Sequence, residues 1–211
     1  MDYMASRTWN INSLDSIAGN PVIKLGEPAV IRTKQGQAVQ FDGINDGLIV
    51  KANPIGDALS FTIEVVFRPD SSFPKNKEQR FIHFQNPDNE NRRVLIETRL
   101  TQDNKWFLDT FIMSEQSSRT LYAKQHLHPI GRWYHAALVY ENNTMKHYVN
   151  GLEEMSGEVD YLPIEGGNTS IGVRMNQVYW FKGAIQMLKV TPRALSPAEF
   201  TFQNTEKNDE S

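Results

Sequence analysis

The sequence predicts an all-β protein built as a two-sheet antiparallel β-sandwich, or jelly roll, and three observations support this prediction. Nearly every patterned segment alternates apolar and polar residues with a period of two. Turn-forming residues separate these segments at intervals of roughly 8–12 residues, which is typical of sandwiches. Signals for helix are confined to the ends of the chain. The predicted strands span residues 22–25, 29–33, 38–42, 48–51, 60–69, 80–85, 93–100, 106–113, 119–124, 133–140, 145–150, 169–174, 178–182 and 184–191.

The segment 60–69 (SFTIEVVFRP) shows the alternation most clearly. Its apolar face carries Phe61, Ile63, Val65 and Phe67, and the intervening residues include Thr62, Glu64 and Arg68. A strand with one apolar and one mixed face is expected to lie half-buried against a second sheet. We therefore expect the odd-numbered side chains of this strand to lie in the core.

Two local signals refine the strand pattern near the C-terminus. Gly183 lies inside a run that is otherwise typical of a strand, which predicts a bulge or a close approach of another backbone. Residues 196–199 (SPAE) form a capping box with proline at the first helical position, which predicts one short helical turn.

Composition limits the class of protein. The chain has 211 residues, which suits one large sandwich better than two small domains. Its 22 basic and 25 acidic side chains give a net charge of -3, which argues against a nucleic-acid partner. Cysteine is absent, so disulfides and thiolate metal sites are excluded. No apolar run approaches the roughly 18 residues of a membrane span, and residues 1–4 (MDYM) show no signal peptide.

The chain is divided on these grounds into three parts. Residues 1–18 are expected to be an N-terminal extension, and residues 19–203 are expected to be the jelly-roll domain. Residues 204–211 lack apolar side chains and are expected to be a disordered tail.

Three groups of motifs resemble one known family. They are residues 38–43 (AVQFDG) with 46–50 (DGLIV) and 61–64 (FTIE); 133–135 (WYH) with 148–151 (YVNG); and 171–172 (IG) with 181–185 (FKGAI) and 193–199 (RALSPAE). In this order and spacing they resemble the bacterial laminin-G-like domain family within the concanavalin A-like lectin/glucanase superfamily. The resemblance runs from about residue 19 to residue 200. It implies a jelly roll that recognises ligands through its concave sheet and rim loops, and that works outside the cytoplasm, extracellularly or in the periplasm.

The superfamily includes glucanases, which resemble one another in an acidic strand motif, Glu-x-Asp-x-(x)-Glu. Its nearest counterpart is residues 158–165 (EVDYLPIE), where Glu165 comes too late and follows Pro163. Proline argues against a central strand, where a catalytic face would lie. The motif is therefore out of register, and an exposed edge strand is the simpler interpretation.

A calcium site is the second property that the superfamily suggests. Asp42 and Asp46 lie on a glycine-rich loop and are the best candidate ligands. The family usually places an acid after the Gly-x-Ile of the late strand, and Gln186 occupies that position here. The alternative is that Asp42 and Asp46 cap their own loop as Asx turns. No cofactor is required by the sequence, and a structural calcium stays a hypothesis.

Candidate ligand-binding residues come from the two central strands. Glu97 and Arg99 share one face of the first, and Asp109 lies between Phe107 and Phe111 on the next. If these strands are neighbours, Glu97, Arg99, Asp109 and Arg119 form one polar cluster, which Trp106 and Tyr179 flank as aromatic platforms for a sugar ring. The alternative is a set of exposed ion pairs without function.

Three functions remain open from the sequence. The first is a non-catalytic recognition module that binds carbohydrate. The second is a glycoside hydrolase or other glycan-active enzyme with an atypical acid pair, for which Glu97 and Asp109 are the first candidates. The third is a structural domain with a protein partner.

Overall fold

The computed structural model describes residues 5–201 and confirms the predicted antiparallel two-sheet sandwich. Its strands are β1 (Arg7–Asn10), β2 (Ser16–Ile17), β3 (Asn20–Leu25), β4 (Ala29–Thr33), β5 (Gly36–Asp42), β6 (Gly47–Val50), β7 (Phe61–Pro69), β8 (Glu78–Gln85), β9 (Arg92–Leu100), β10 (Lys105–Ser114), β11 (Ser117–Tyr122), β12 (His128–Pro129), β13 (Tyr134–Glu141), β14 (Thr144–Val149), β15 (Leu152–Glu158), β16 (Asn168–Ile171) and β17 (Lys182–Thr191).

Two sheets divide these strands. The first sheet has the order β15-β14-β13-β7-β17-β5-β4, and β1 also pairs with β17. The second sheet has the order β11-β10-β9-β8-β16-β6-β3-β2, and β12 also pairs with β10. Neighbouring strands in each sheet run antiparallel wherever their register is defined. Each sheet therefore has an inner face toward the core and an outer face.

The core between the sheets is aromatic. The Phe67 ring lies 4.6 Å from Phe81 and 5.2 Å from Trp106, measured between ring centroids. Phe61 is also fully buried, as the sequence predicted, and so is Phe181. Trp133 is half-buried. Replacing Phe67 by alanine would leave a cavity at the centre and cost about 3–5 kcal/mol.

The expected N-terminal boundary is wrong. β1 pairs with β17, and Trp9, Ile11 and Ile17 belong to the hydrophobic core. The segment assigned to an extension is therefore part of the sandwich from Arg7 onward. Short strands with few alternating positions gave little signal in the sequence. The expected C-terminal limit at residue 203 and the tail 204–211 lie outside the described residues.

Two strand predictions also differ from the structure. The segment 158–165 was expected to be an exposed edge strand, but the edge strand of the first sheet is β15, Leu152–Glu158, and residues 159–165 form a loop. The segment 178–182 was expected to be a strand, but residues 178–181 form a loop and β17 begins only at Lys182, because Gln177 and Tyr179 adopt positive φ angles of 60°.

The glycine and capping predictions are confirmed. A Cβ at Gly183 would lie 2.1 Å from the backbone oxygen of Arg68, so only glycine fits where β17 meets β7. A register shift follows between Ile185 and Met187. One turn of 3-10 helix spans Pro197–Glu199, and the Ser196 N–H donates to the Glu199 carboxylate at 2.9 Å. Within residues 5–201, no helix has the length and apolarity that a membrane span requires.

Candidate functional site: a charged cavity on the outer face of the second sheet

Strand register brings the candidate residues together in rows across β8, β9 and β10. Glu97 lies directly opposite Arg80 on one side and Asp109 on the other. Two residues further along β9, Arg99 lies opposite Glu78 on one side and Phe107 on the other. Directly opposed side chains share one face of a sheet. The neighbouring core residues point inward, so these rows lie on the outer face of the second sheet.

A break in the alternation of β8 puts Arg80 on this face. Phe81 and Ile82 are consecutive and both fully buried, and the register shifts between Arg80 and Ile82. A bulge of this kind turns one side chain to the opposite face. Without it, Arg80 would share the inward face of Ile82.

Two arginines hold the two carboxylates. Arg99 contacts Asp109 at 2.8 Å, Glu78 at 2.6 Å and Glu97 at 3.5 Å. The Arg80 Nε lies 3.0 Å from the Glu97 Oε2. Glu97 and Asp109 are only 3% and 1% exposed, whereas the Arg80 and Arg99 side chains are 18% and 17% exposed. The carboxylates therefore form the floor of the cluster and the guanidinium groups lie nearer the solvent.

Burial changes the protonation of this floor. Burial and the nearby Asp109 charge raise the pKa of Glu97 to about 7, although Arg80 and Arg99 oppose the shift. Burial also raises the pKa of Asp109, with Arg99 opposing. Near neutral pH the pair therefore carries less than two full negative charges.

A loop over residues 172–181 forms one wall of the site. The Arg80 N–H donates to the Tyr179 carbonyl at 3.0 Å, and the Arg80 guanidinium lies 4.0 Å from the centre of the Tyr179 ring. Tyr179 is 38% exposed and has a φ of 60°, a conformation in which a bulky residue is strained. Strain of this kind is often found at functional sites.

His83 anchors the same loop from below. Its Nδ1 accepts a hydrogen bond from the Met175 N–H at 3.0 Å. Burial, with the charges of Arg174, Arg93 and Arg80, lowers the pKa of His83 to about 3. The ring is therefore neutral at physiological pH and can act as an acceptor.

These elements enclose a cavity of about 310 Å³. Four arginines and two carboxylates line it, together with three apolar or aromatic side chains and one threonine: Arg80, Arg93, Arg99, Arg174, Glu97, Asp109, Leu95, Phe111, Tyr179 and Thr120. We call this depression the arginine cavity. Its lining is polar and cationic with one exposed ring at the rim.

The structure places four of the six predicted ligand residues at this cavity and two elsewhere. Glu97, Arg99, Asp109 and Tyr179 line it together. The expectation that Trp106 is free to stack is wrong, because the ring is fully buried and contacts Phe67 and Tyr134. Even-numbered residues of β10 face the core, so its position follows from the alternation itself.

Arg119 is also absent from the cluster. It lies opposite the buried Ile112 in the register of β10 and β11, and so on the other face from Asp109. A Cβ at Gly157 would lie 2.6 Å from the Arg119 Nε, which places this side chain against β15 of the first sheet.

Three arginines of the cavity were missed. Arg93 has the same strand parity as Glu97, so alternation could have found it. Arg80 was hidden by the bulge, and Arg174 lies in the loop that was predicted partly as strand. No sequence signal marks the fold of that loop.

At the calcium candidates the predicted Asx turn is confirmed for Asp42, whereas Asp46 caps backbone N–H groups that precede it in the chain. Asp42 Oδ1 accepts N–H groups from Ile44 at 2.8 Å and Asn45 at 3.1 Å. Asp46 accepts N–H groups from Glu27 at 2.7 Å and Asp42 at 3.0 Å. Burial alone would raise the pKa of Asp42, but these backbone donors lower it. In the described part of the chain, no three His, Cys, Asp or Glu side chains are grouped as metal ligands would be.

The acidic motif near residue 160 lies on the surface. Glu158 ends the edge strand β15, and Glu158, Asp160 and Glu165 are exposed. The interpretation of residues 158–165 as an exposed edge strand is correct only at Glu158, because residues 159–165 form a loop. The three acids do not form a shared catalytic face.

A second cavity, of about 440 Å³, lies at β4 and the segment that follows it. Its lining includes Arg32, Lys34, Arg68 and Trp133. Arg68 there is bound to Asp70 at 3.0 Å and to Gln40 at 3.0 Å. Arg68 therefore already has a salt-bridge partner, whereas Arg93 and Arg174 in the arginine cavity have none within residues 5–201.

Comparison with known proteins supports the family resemblance. The Laminin_G_3 family model, described as the concanavalin A-like lectin/glucanases superfamily, matches residues 36–200. No curated protein matches the chain in sequence.

Solved structures share the fold at low sequence identity. Domain 4 of AbnA, a GH43 extracellular arabinanase from Geobacillus stearothermophilus, in complex with arabinotriose, has a TM-score of 0.64 and 19% identity, over 92% of this chain and 96% of that one. The binding domain of botulinum neurotoxin DC in complex with SialylT has a TM-score of 0.66 and 13% identity, over 92% and 49%. The CBM40 of a Ruminococcus gnavus IT-sialidase has a TM-score of 0.52 and 17% identity, over 83% and 95%. The chain thus spans about half the length of the toxin domain.

Proposed function

The chain belongs to the laminin-G family of the concanavalin A-like lectin/glucanases superfamily, because the family match spans well over half of it, and from this premise we propose that it is a non-catalytic carbohydrate-binding module. The ligand site is the arginine cavity. The observation that supports this most directly is the combination of fixed polar groups and one exposed aromatic ring in a single depression.

The chemistry of the cavity suits a sugar. Sugar hydroxyls need planar hydrogen-bonding groups, and the apolar face of the ring needs an aromatic surface. Arg80 and Arg99 supply donors that Glu97 and Asp109 hold in place. Tyr179 supplies the ring, with its position fixed by Arg80 beneath it. Groups held in advance lose little entropy when a ligand binds.

Structural relatives support the same proposal. The arabinanase domain was solved with arabinotriose and the toxin binding domain with SialylT. The first of these belongs to an extracellular enzyme. By analogy we place this module in a bacterium and outside the cytoplasm, extracellularly or in the periplasm.

A glycan array tests the proposal directly. The full chain should bind at least one class of glycan, and Tyr179→Ala should weaken that binding about tenfold or more, because stacking on an aromatic ring is lost. Arg119→Gln is the matched control, since Arg119 lies on the opposite face of the sheet. Binding to no glycan would overturn the proposal and favour the third function, a domain with a protein partner.

The same array run with EDTA tests for calcium. The carboxylates of Asp42 and Asp46 are already bound to backbone N–H groups, so we expect chelation to leave glycan binding unchanged. A loss of binding that added calcium restores would show instead that this loop holds a metal ion.

A second candidate function is glycoside hydrolysis, and the Glu97–Asp109 pair favours it. The two residues are directly opposed on neighbouring strands, so both carboxyl groups lie on one face of the sheet, as the acid pair of a hydrolase must. The pKa of Glu97, raised to about 7, also suits a general acid. Both carboxylates lie beneath arginines, however, which favours binding. Release of nitrophenol from aryl glycosides, abolished in Glu97→Gln, would establish hydrolysis.

A further inference from the structure

The cations of the arginine cavity fall into two pairs with different surroundings. Arg80 and Arg99 are bound to Glu97 and Asp109. Within residues 5–201, Arg93 and Arg174 form no salt bridge. Four arginines line the cavity, and the acids bound to them are Glu97, Asp109 and Glu78, so positive charge is still left unbalanced.

Arg93 is held in place on the sheet. It projects from β9 over the Phe111 ring, 5.3 Å from the ring centre, and donates a hydrogen bond to the backbone carbonyl of Glu90. Burial lowers its pKa, and the charges of Arg174 and Arg80 lower it further. The three guanidinium groups are therefore close enough to repel one another, and an anion between them would relieve this repulsion.

Arg174 approaches from the loop over 172–181. Its Nε is buried, and no hydrogen-bond acceptor for it lies within the described part of the chain. An unsatisfied buried donor is costly, and a charged one more so. The backbone N–H of Arg174 donates to the Val178 carbonyl at 3.2 Å and closes the loop.

The floor of the cavity offers the complementary group. Asp109 is 1% exposed, and its Oδ1 is buried without a hydrogen-bond partner in the described residues. Its Oδ2 is occupied by Arg99 at 2.8 Å. One unsatisfied acceptor thus lies in the same cavity as two cations without a salt bridge. A ligand with an anionic group could pair with Arg93 and Arg174, and its hydroxyl groups could donate to the Asp109 Oδ1.

We propose that the arginine cavity selects acidic sugars, with a sugar carboxylate bound between Arg93 and Arg174 and hydroxyl groups directed to Asp109. This inference rests on the proposed carbohydrate-binding function and specifies its ligand class. Guanidinium forks match the planar carboxylate with two parallel hydrogen bonds, which a neutral sugar cannot offer. The ring of the same sugar lies against Tyr179.

Calorimetric titration of the full chain with two matched pairs of glycans tests the proposal. The pairs are sialyllactose with lactose, and trigalacturonic acid with trigalactose. At least one acidic member should bind about tenfold or more tightly than its neutral partner, which corresponds to one charge-assisted hydrogen bond or more. Its affinity should also fall as salt is raised.

Substitutions locate the effect within the cavity. Arg93→Gln and Arg174→Gln should each reduce affinity for the acidic glycan about tenfold or more and leave affinity for its neutral partner nearly unchanged. Arg119→Gln on the opposite face and Arg32→Gln in the second cavity are the matched controls and should change neither. Thermal unfolding of each variant checks that it is folded.

The outcomes separate this inference from the proposed function. Binding of neutral glycans with equal or greater affinity than acidic ones would overturn acidic selectivity and leave carbohydrate binding intact. A loss of acidic binding in Arg32→Gln but not in Arg93→Gln or Arg174→Gln would place the anion in the other cavity and overturn the site. Absence of binding to all four glycans and to the array would overturn both proposals.

Discussion

The two outer faces of the sandwich each contain a buried glutamate, and the two glutamates have opposite electrostatic surroundings. Glu64 lies on the outer face of the first sheet and is 0% exposed, and Glu97 lies on the outer face of the second sheet and is 3% exposed. The pKa of Glu64 is lowered, whereas that of Glu97 is raised to about 7. Burial acts on both, so the difference comes from their partners.

Glu64 is surrounded by hydrogen-bond donors and a positive charge from the first sheet and from the C-terminal segment. His135 lies 3.0 Å away, the Thr201 N–H donates at 2.7 Å, and Lys189 lies 3.7 Å away. Burial alone would raise the pKa of Glu64, but these groups lower it. Phe200 packs on Tyr148 beside them, so the described segment 195–201 covers this face.

The face that contains Glu97 is not covered in this way. Asp109 opposes Glu97 with a like charge, and Arg93 and Arg174 lack salt bridges in the described residues. Native proteins satisfy nearly all of their buried polar groups, and exceptions need an explanation. The first sheet is thus completed by its own chain, and the second presents unsatisfied groups to a ligand.

The largest effect on stability is expected on the outer face of the first sheet, where Glu64 lies. Glu64→Gln should lower the free energy of unfolding in urea by about 3 kcal/mol near neutral pH, because it breaks a buried charged network. Since the folded pKa of Glu64 is below its ordinary value of 4.5, its contribution is present above that pH and is lost as the pH falls through the folded pKa. Glu141→Gln, at an exposed position, is the control and should change stability by less than about 0.5 kcal/mol.

A loss below about 1 kcal/mol in Glu64→Gln would show that the network is not what holds segment 195–201 in place. The outer faces of the two sheets would then differ less in how their buried glutamates are stabilised.

The next effect is the pH dependence of stability on the outer face of the second sheet, where Glu97 lies. The folded pKa of Glu97, about 7, is above the ordinary value of 4.5, so its contribution to stability is fully present below pH 4.5 and is lost as the pH rises through 7. Glu97→Gln removes this titration. Relative to the wild type, its stability should therefore improve between pH 5 and pH 8 by on the order of 2 kcal/mol, measured by urea unfolding.

The charged groups that face Glu97 are Arg80, Arg99 and Asp109. Burial also raises the pKa of Asp109, with Arg99 opposing, and Asp109 is present in both proteins that are compared. Parallel pH profiles for Glu97→Gln and the wild type would contradict a raised pKa and make the two faces electrostatically alike.

The smallest effect separates backbone strain from binding at Tyr179. Tyr179→Gly and Tyr179→Ala both remove the ring, but only glycine adopts a φ of 60° without strain. Tyr179→Gly should therefore be more stable than Tyr179→Ala by about 0.5 to 1 kcal/mol. Both should lose glycan binding on the array. Equal stability of the two variants would show that the loop relaxes and that strain does not position the ring.

The sequence predicted the parts of this site that depend on alternation. Leu95, Glu97 and Arg99 share an outer face because strand residues alternate, and Asp109 joins them because β10 is the next strand. Alternation also places Trp106 in the core, so that error came from treating its ring as free.

The remaining parts depend on interactions that alternation does not encode. The bulge that turns Arg80 outward arises where two consecutive aromatic and aliphatic residues, Phe81 and Ile82, are both buried. The loop that brings Arg174 and Tyr179 to the cavity depends on positive φ at two residues other than glycine. Covering of the first sheet by segment 195–201 depends on the contact between Glu64 and Thr201, which are 137 positions apart in the chain.

Hydrogen–deuterium exchange of the full chain, with and without a saturating concentration of the acidic glycan that binds in the calorimetric titration, tests most directly which face binds ligand. We predict that protection increases in β8, β9 and β10 and in the loop over 172–181, and that segment 195–201 and the outer face of the first sheet are unchanged. Protection that appears on the first sheet and not at these elements would contradict the assignment of the second sheet as the ligand-binding face.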